Sequence, residues 1–164
     1  MFESVVIANY FIEKSLNSGN VILTPMKLLK LVYIAHGWYL GLTGKPLINE
    51  TVMAWKFGPV VGSVYQQFKR YGGTKIIEPA PVPPSYHLPV HVTRFLDKIW
   101  EIYSGFTAVQ LSTMTHKPGT PWDKVWNQQG GKDQLAAEIS NKIIQEHYSQ
   151  KVQRNEKSQL KIDG

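Results

Sequence analysis

A chain of 164 residues suits one domain, and at that size it hides enough surface to fold without a disulfide or metal staple. The absence of cysteine excludes disulfide frameworks, thiolate metal sites and cysteine nucleophiles. A composition of 43% hydrophobic and 18% charged residues excludes wholesale disorder, while a net charge of +6 admits an acidic partner, either nucleic acid or an acidic protein surface.

The opening stretch MFESVVIANYFIEKS lacks a basic leader region and carries Glu3 and Glu13 among apolar residues. Val5, Ala8, Ile12 and Leu16 recur at helical spacing, so residues 3–16 are expected to form an amphipathic helix rather than a signal peptide. No apolar run approaches the ~20 residues that span a bilayer. A soluble, cytoplasmic protein with no membrane partner is the expectation.

Thr24-Pro25 opens a second helix, TPMKLLKLVYIAHGWYLGLTG. The threonine hydroxyl can cap free backbone N–H groups, and proline in the first turn loses no hydrogen bond. Leu28, Leu31, Val32, Ala35 and Tyr39 supply its apolar face, Lys27 and Lys30 are expected toward the polar face, and Gly44 stops it. Trp38 and Tyr39 are adjacent, so one is expected in the core and the other at its margin or against a partner.

Residues 50–57 alternate in character and predict a short extended or β element. Gly58-Pro59 punctuates it, and a helix is expected over PVVGSVYQQFKRYGG. Residues 74–89 hold half of the ten prolines and predict an extended connecting loop. A helix returns over 90–104, and Thr107 can cap a short one through Met114. Lys117-Pro118-Gly119 makes a turn, and Thr120-Pro121 repeats the threonine-proline helix start, so WDKVW should be helical. A last helix is expected from about Leu135 to His147, followed by a basic, mobile tail. The sum is a mainly α, single compact helical domain of six to seven helices over residues 1–148, with a tail over 149–164.

Residues with catalytic potential are scattered. The five histidines show no HExxH spacing; His87 and His91 are four apart, but Pro89 lies between them. No GxSxG, P-loop or GxGxxG stretch occurs, and the carboxylates are spread singly. No catalytic residue, cofactor or metal site is assigned, and an enzyme is not expected. The five tryptophans suggest instead a surface with aromatic anchors, the residue type that dominates binding hot spots.

Three segments carry a resemblance: TPMKLLKLVYIAHGWYLGLTGKPL, AWKFGPVVGSVYQQFKRYG and LSTMTHKPGTPW. In this order they resemble the Panacea antitoxin domain, also called the SocA-like or GepA-like phage-associated family. The matching positions are Leu28, Lys30, Leu31, Tyr33, Gly37, Trp38, Ala54, Trp55, Gly58, Pro59, Val60, Tyr65, Thr115, His116, Pro121 and Trp122, flanked by Lys27 and Phe57. The resemblance implies a helical domain without catalytic activity, found on phages, prophages and plasmids. It implies an antitoxin that neutralises a cognate protein toxin, encoded by an adjacent gene, through direct binding. In at least one relative the domain is an adaptor that delivers its toxin to an ATP-dependent protease. Two other readings stay open: a phage accessory protein that binds a host factor, and a nucleic-acid-binding regulator resting on Lys27, Lys30, Lys69 and Arg70. The family positions are mostly structural in this reading, with His116 bracing a corner by bonding to backbone or a neighbouring side chain.

Overall fold

Thr24 begins the central helix as its chemistry requires: its hydroxyl accepts from the Lys27 N–H at 3.5 Å, and Pro25 fills the first turn. The computed structural model describes residues 1–155. In it α1 spans Ser4–Ser18 and α2 spans Pro25–Thr43. Every residue of α2 from Lys27 to Leu40 is buried. A helix covered on all sides is the core of its domain, and α1, α4 (Val90–Tyr103), α5 (Ala108–His116) and α7 (Asn141–Asn155) pack around it.

That enclosure corrects two expectations. Lys27 and Lys30 do not lie on a polar face; both are buried, because α5 and the segment after Thr51 cover the flank that the lysines occupy. Trp38 and Tyr39 do not divide between core and margin. Trp38 packs edge-on against Tyr148, and Tyr39 packs edge-on against Phe95, so opposite sides of α2 are both interior.

A three-stranded antiparallel sheet flanks the helices: β1 (Val52–Trp55), β2 (Gly58–Val61) and β3 (Ala137–Ile139), in the order β2-β1-β3. The expected extended element is therefore the first strand of a hairpin. The helix expected from Pro59 starts later, as α3 (Gly62–Phe68), because Pro59, Val60 and Val61 pair with Ala54, Met53 and Val52. β-branched valines favour that pleated, packed surface. The last helix begins at Asn141 rather than near Leu135, because Ala137 and Ile139 point into the core as β3 while Glu138 faces out. It continues to Asn155, with Val152 against the core, past the boundary expected at 148. The rest of the expected tail, 156–164, lies outside the described residues.

The proline-rich segment is a connector, as expected. Asn9 of α1 ties it down, donating Nδ2–H to the Ala80 carbonyl and accepting the Ala80 N–H, each at 2.8 Å. The two threonine caps later in the chain also form. Thr107 makes a full capping box with Gln110, and the Thr120 hydroxyl accepts from the Asp123 N–H to start α6 (Pro121–Asp123), which runs on as a π-helical turn over Lys124–Gln128.

α2 and α7 approach closely at two glycines. A Cβ on Gly37 would fall 2.2 Å from the Tyr148 ring, and one on Gly41 would fall 2.7 Å from the Tyr148 backbone. Only hydrogen fits at either place, so the spacing of glycines four apart seats Tyr148 in a groove on α2.

Candidate functional site

The hairpin between β1 and β2 turns at Lys56 and Phe57 and returns through Gly58 at φ +122°, a conformation that side-chain-bearing residues rarely adopt. Gly58 is needed for space as well. A Cβ there would sit 2.6 Å from the Lys30 ammonium and 2.9 Å from the His116 ring. Lys30 Nζ donates to the Pro59 carbonyl at 3.2 Å, and burial pushes its pKa down to about 8.

His116 closes the other side. Its Nδ1 lies 2.6 Å from the Ser112 carbonyl, one helical turn back, so Nδ1 carries the proton and donates. Its ring lies against Trp122 with centroids 4.2 Å apart. Trp122 in turn donates Nε1–H to the Trp55 carbonyl at 2.6 Å, and the Ser112 hydroxyl donates to the Phe57 carbonyl at 3.3 Å. The structure thus brings Lys30, Trp55, Gly58, Pro59, His116 and Trp122, from three separate stretches of sequence, into one junction, with Trp55 and His116 half-buried and the others buried. His116 braces it from within α5, through its own helix's backbone and the Trp122 ring.

The remaining family positions lie elsewhere. Lys27 donates to the Ser104 carbonyl at 2.6 Å, at the C-terminal end of α4, where a cation answers free carbonyls; burial lowers its pKa. Tyr33 is fully buried, edge-on to Tyr148. Trp38 donates Nε1–H to the Tyr103 hydroxyl at 2.7 Å. Tyr65 packs edge-on to Trp55. Phe57 is the outlier, 66% exposed at the hairpin tip with the Lys56 ammonium over its ring. Of the expected tryptophan anchors, Trp38 and Trp122 are buried, while Trp55, Trp100 and Trp126 pack half-buried against the core and keep some surface open.

Behind the junction is a cavity of about 90 Å³, whose wall includes Thr115, Lys117, Thr120 and Pro121 of the THKPGTPW stretch, together with His147 and Lys151 of α7. Lys151 Nζ stands 5.4 Å from the Tyr148 ring centroid and 5.9 Å from that of Trp38. Burial lowers its pKa, and the charges of Lys117 and Arg154 lower it further. The His147 imidazole is pushed down to about 4, first by burial and then by Lys151, Lys124 and Arg154. Asp123 is nearby in sequence, but its carboxylate is occupied by Asn127 Nδ2, the Gly119 N–H and Gln128 Nε2. This basic pocket was not singled out from the sequence. Its signal was the spacing His147, Lys151, Arg154 on one helix face, obscured by the expectation that the helix ended at His147.

His36 is structural in the same domain. Nε2–H donates to Asn141 Oδ1 at 2.9 Å, and Nδ1 accepts from the Ile48 N–H at 3.4 Å, which joins α2 to the start of α7. Burial holds its pKa below the ordinary value, against the Asn141 bond. Among the described residues no three His, Cys, Asp or Glu side chains are grouped to hold a metal ion, and no helix is long and apolar enough to cross a membrane.

A mainly helical domain built round an enclosed α2, with a glycine hairpin locked by a lysine, a histidine and a tryptophan, defines the class. Residues 28–123 match the model of the family described as antitoxin SocA-like, Panacea domain, and the chain belongs to that family. In particular it is similar to the Antitoxin SocA of Caulobacter vibrioides (strain NA1000 / CB15N), with 32% identity over 151 residues, which cover 87% of this chain and 80% of that protein. No solved structure matches the chain.

Proposed function

We propose that this chain is the antitoxin of a toxin–antitoxin pair and neutralises its cognate protein toxin by binding it directly, without catalysis. The carrying observation is the relationship to an antitoxin along nearly the whole domain, with 87% of this chain aligned. The junction supports a binding role over a chemical one. Lys30 and His116 are fastened to backbone carbonyls and walled in by Gly58 and Trp122, so they frame a surface rather than meet a substrate.

The test is co-expression with the product of the adjacent gene. Growth arrest by that product alone, rescue by this chain and a complex that survives purification are expected. A neighbour that is harmless alone, or rescue without any complex, would refute direct neutralisation. Delivery to an ATP-dependent protease is the finer form of the same reading. It predicts that the toxin's half-life in cells shortens when this chain is present; an unchanged half-life with full rescue leaves simple sequestration.

A further inference from the structure

Two cationic side chains, Lys117 and Lys151, reach the small cavity beside the THKPGTPW corner, next to the His147 imidazole that their charge and burial keep neutral, and Lys124 and Arg154 add their charge nearby. Among the described residues the ion pairs are Lys14–Asp97, Arg70–Glu78 and Lys98–Glu101, none of which touches this group. Like charges gathered with no ion-pair partner among the described residues repel one another, so the arrangement costs stability and is relieved by an anion. Lys151 is pinned over Trp38 and Tyr148, and Lys117 stands exposed just after α5, before the turn that Asp123 fastens.

The cavity holds about 90 Å³. A single water needs roughly 10–15 Å³ on the same measure, so the recess has room for a small anionic group such as a carboxylate. Tyr33, Tyr103, Tyr148, Thr115 and Thr120 also line it, the two threonine hydroxyls already donating to the Ser112 and Lys117 carbonyls. Along α7, Lys151 and Arg154 fall three apart, one turn beyond His147, a short cationic stripe of roughly 5 Å at 1.5 Å per residue. Such a stripe with one recess matches an acidic side chain inserted from a short segment. A duplex backbone would call for cations strung along a longer groove.

We propose that this pocket is the docking point for an aspartate- or glutamate-rich segment of the partner protein, with one carboxylate seated between Lys117 and Lys151 and neighbouring acids meeting Lys124 and Arg154. The proposal rests on the antitoxin reading for the identity of that partner.

The test is fluorescence anisotropy with a labelled ten-residue peptide of alternating Glu and Ser, beside a labelled single-stranded DNA of similar charge. The wild-type chain should bind the peptide at low salt at least as tightly as the DNA. Lys117→Glu with Lys151→Glu should weaken peptide binding at least tenfold, whereas Lys69→Glu with Lys75→Glu should change it less than threefold. Where circular dichroism shows that the Glu pair does not fold, Lys117→Gln with Lys151→Gln replaces it, with at least threefold loss expected. No peptide binding, equal loss in the control pair, or tighter binding of DNA overturns the proposal. In co-expression, wild-type rescue that the Lys117/Lys151 variant retains in full also overturns it and leaves the antitoxin reading standing. Failure of the wild type to rescue overturns the antitoxin reading, and the peptide measurement then decides the pocket by itself.

Discussion

Gly58→Ala is the sharpest probe of the junction. The new methyl would meet Lys30 Nζ at 2.6 Å, Lys30 Cε at 3.2 Å and His116 Cε1 at 2.9 Å. The histidine cannot yield, since Ser112 and Trp122 hold its ring. The lysine end is flexible, but it is enclosed, so moving it breaks its bond to the Pro59 carbonyl. Holding alanine at positive φ costs about 1–3 kcal/mol. Losing a hydrogen bond made by a buried charged group adds about 1.5–3 kcal/mol. A total of about 2.5–6 kcal/mol is expected, which lowers Tm by roughly 5–24 °C for a domain of this size. Urea and thermal unfolding measure it. A double-mutant cycle assigns it: methionine ends one atom short of the ammonium, so Gly58→Ala in a Lys30→Met background should keep the backbone part and the His116 contact and lose the lysine part, with a coupling of about 1.5–3 kcal/mol. A single-mutant loss under about 1 kcal/mol, or strict additivity with Lys30→Met, would refute the account of a lysine wedged against the hairpin.

Lys30 also makes stability depend on pH. Its folded pKa, about 8, lies below the unfolded value of 10.5, so between these the unfolded chain binds more protons and stability rises with pH. The rise is at most about 1.4 kcal/mol per pH unit, and the difference between wild type and Lys30→Met over pH 7–9.5 should show it. His147, held to about 4, and His36, also lowered, act in the acid range: stability present above pH 6.5 is lost as pH falls toward 4, and His147→Gln should flatten part of that loss in urea titrations. Gly37→Ala and Gly41→Ala should each destabilise by about 1–3 kcal/mol or more through overpacking. Tyr148→Ala should offset part of the first, whose clash is with a ring, and none of the second, whose clash is with backbone. His116→Ala should lower Tm before it alters partner binding; a variant of unchanged Tm that loses only its partner would give His116 a contact role instead.

What could be read from the sequence was local chemistry. Thr24, Thr107 and Thr120 act within three residues of themselves, and all three caps form. What could not be read depends on acceptors far away in the chain. Lys27 and Lys30 look like surface lysines until the Ser104 and Pro59 carbonyls, 77 and 29 residues distant, appear beside them. The strands β2 and β3 are four and three residues long, too short for alternation to separate from a helix start. Gly58-Pro59 misleads for the same reason, since proline suits both a first helical turn and the β2 position it occupies opposite Ala54. The family positions around THKPGTPW come together at one corner, while the cations behind it needed α7 to be placed.

The glycine groove on α2 has a consequence for how the molecule is made. Its filler, Tyr148, is translated roughly a hundred residues after Gly41. At about 5–20 residues per second, α2 spends on the order of 5–20 s with one flank uncovered. During that interval the nascent protein presents an apolar trench to chaperones and proteases, and a chain stopped short of α7 keeps it. The groove on α2 closes only once synthesis has passed Tyr148.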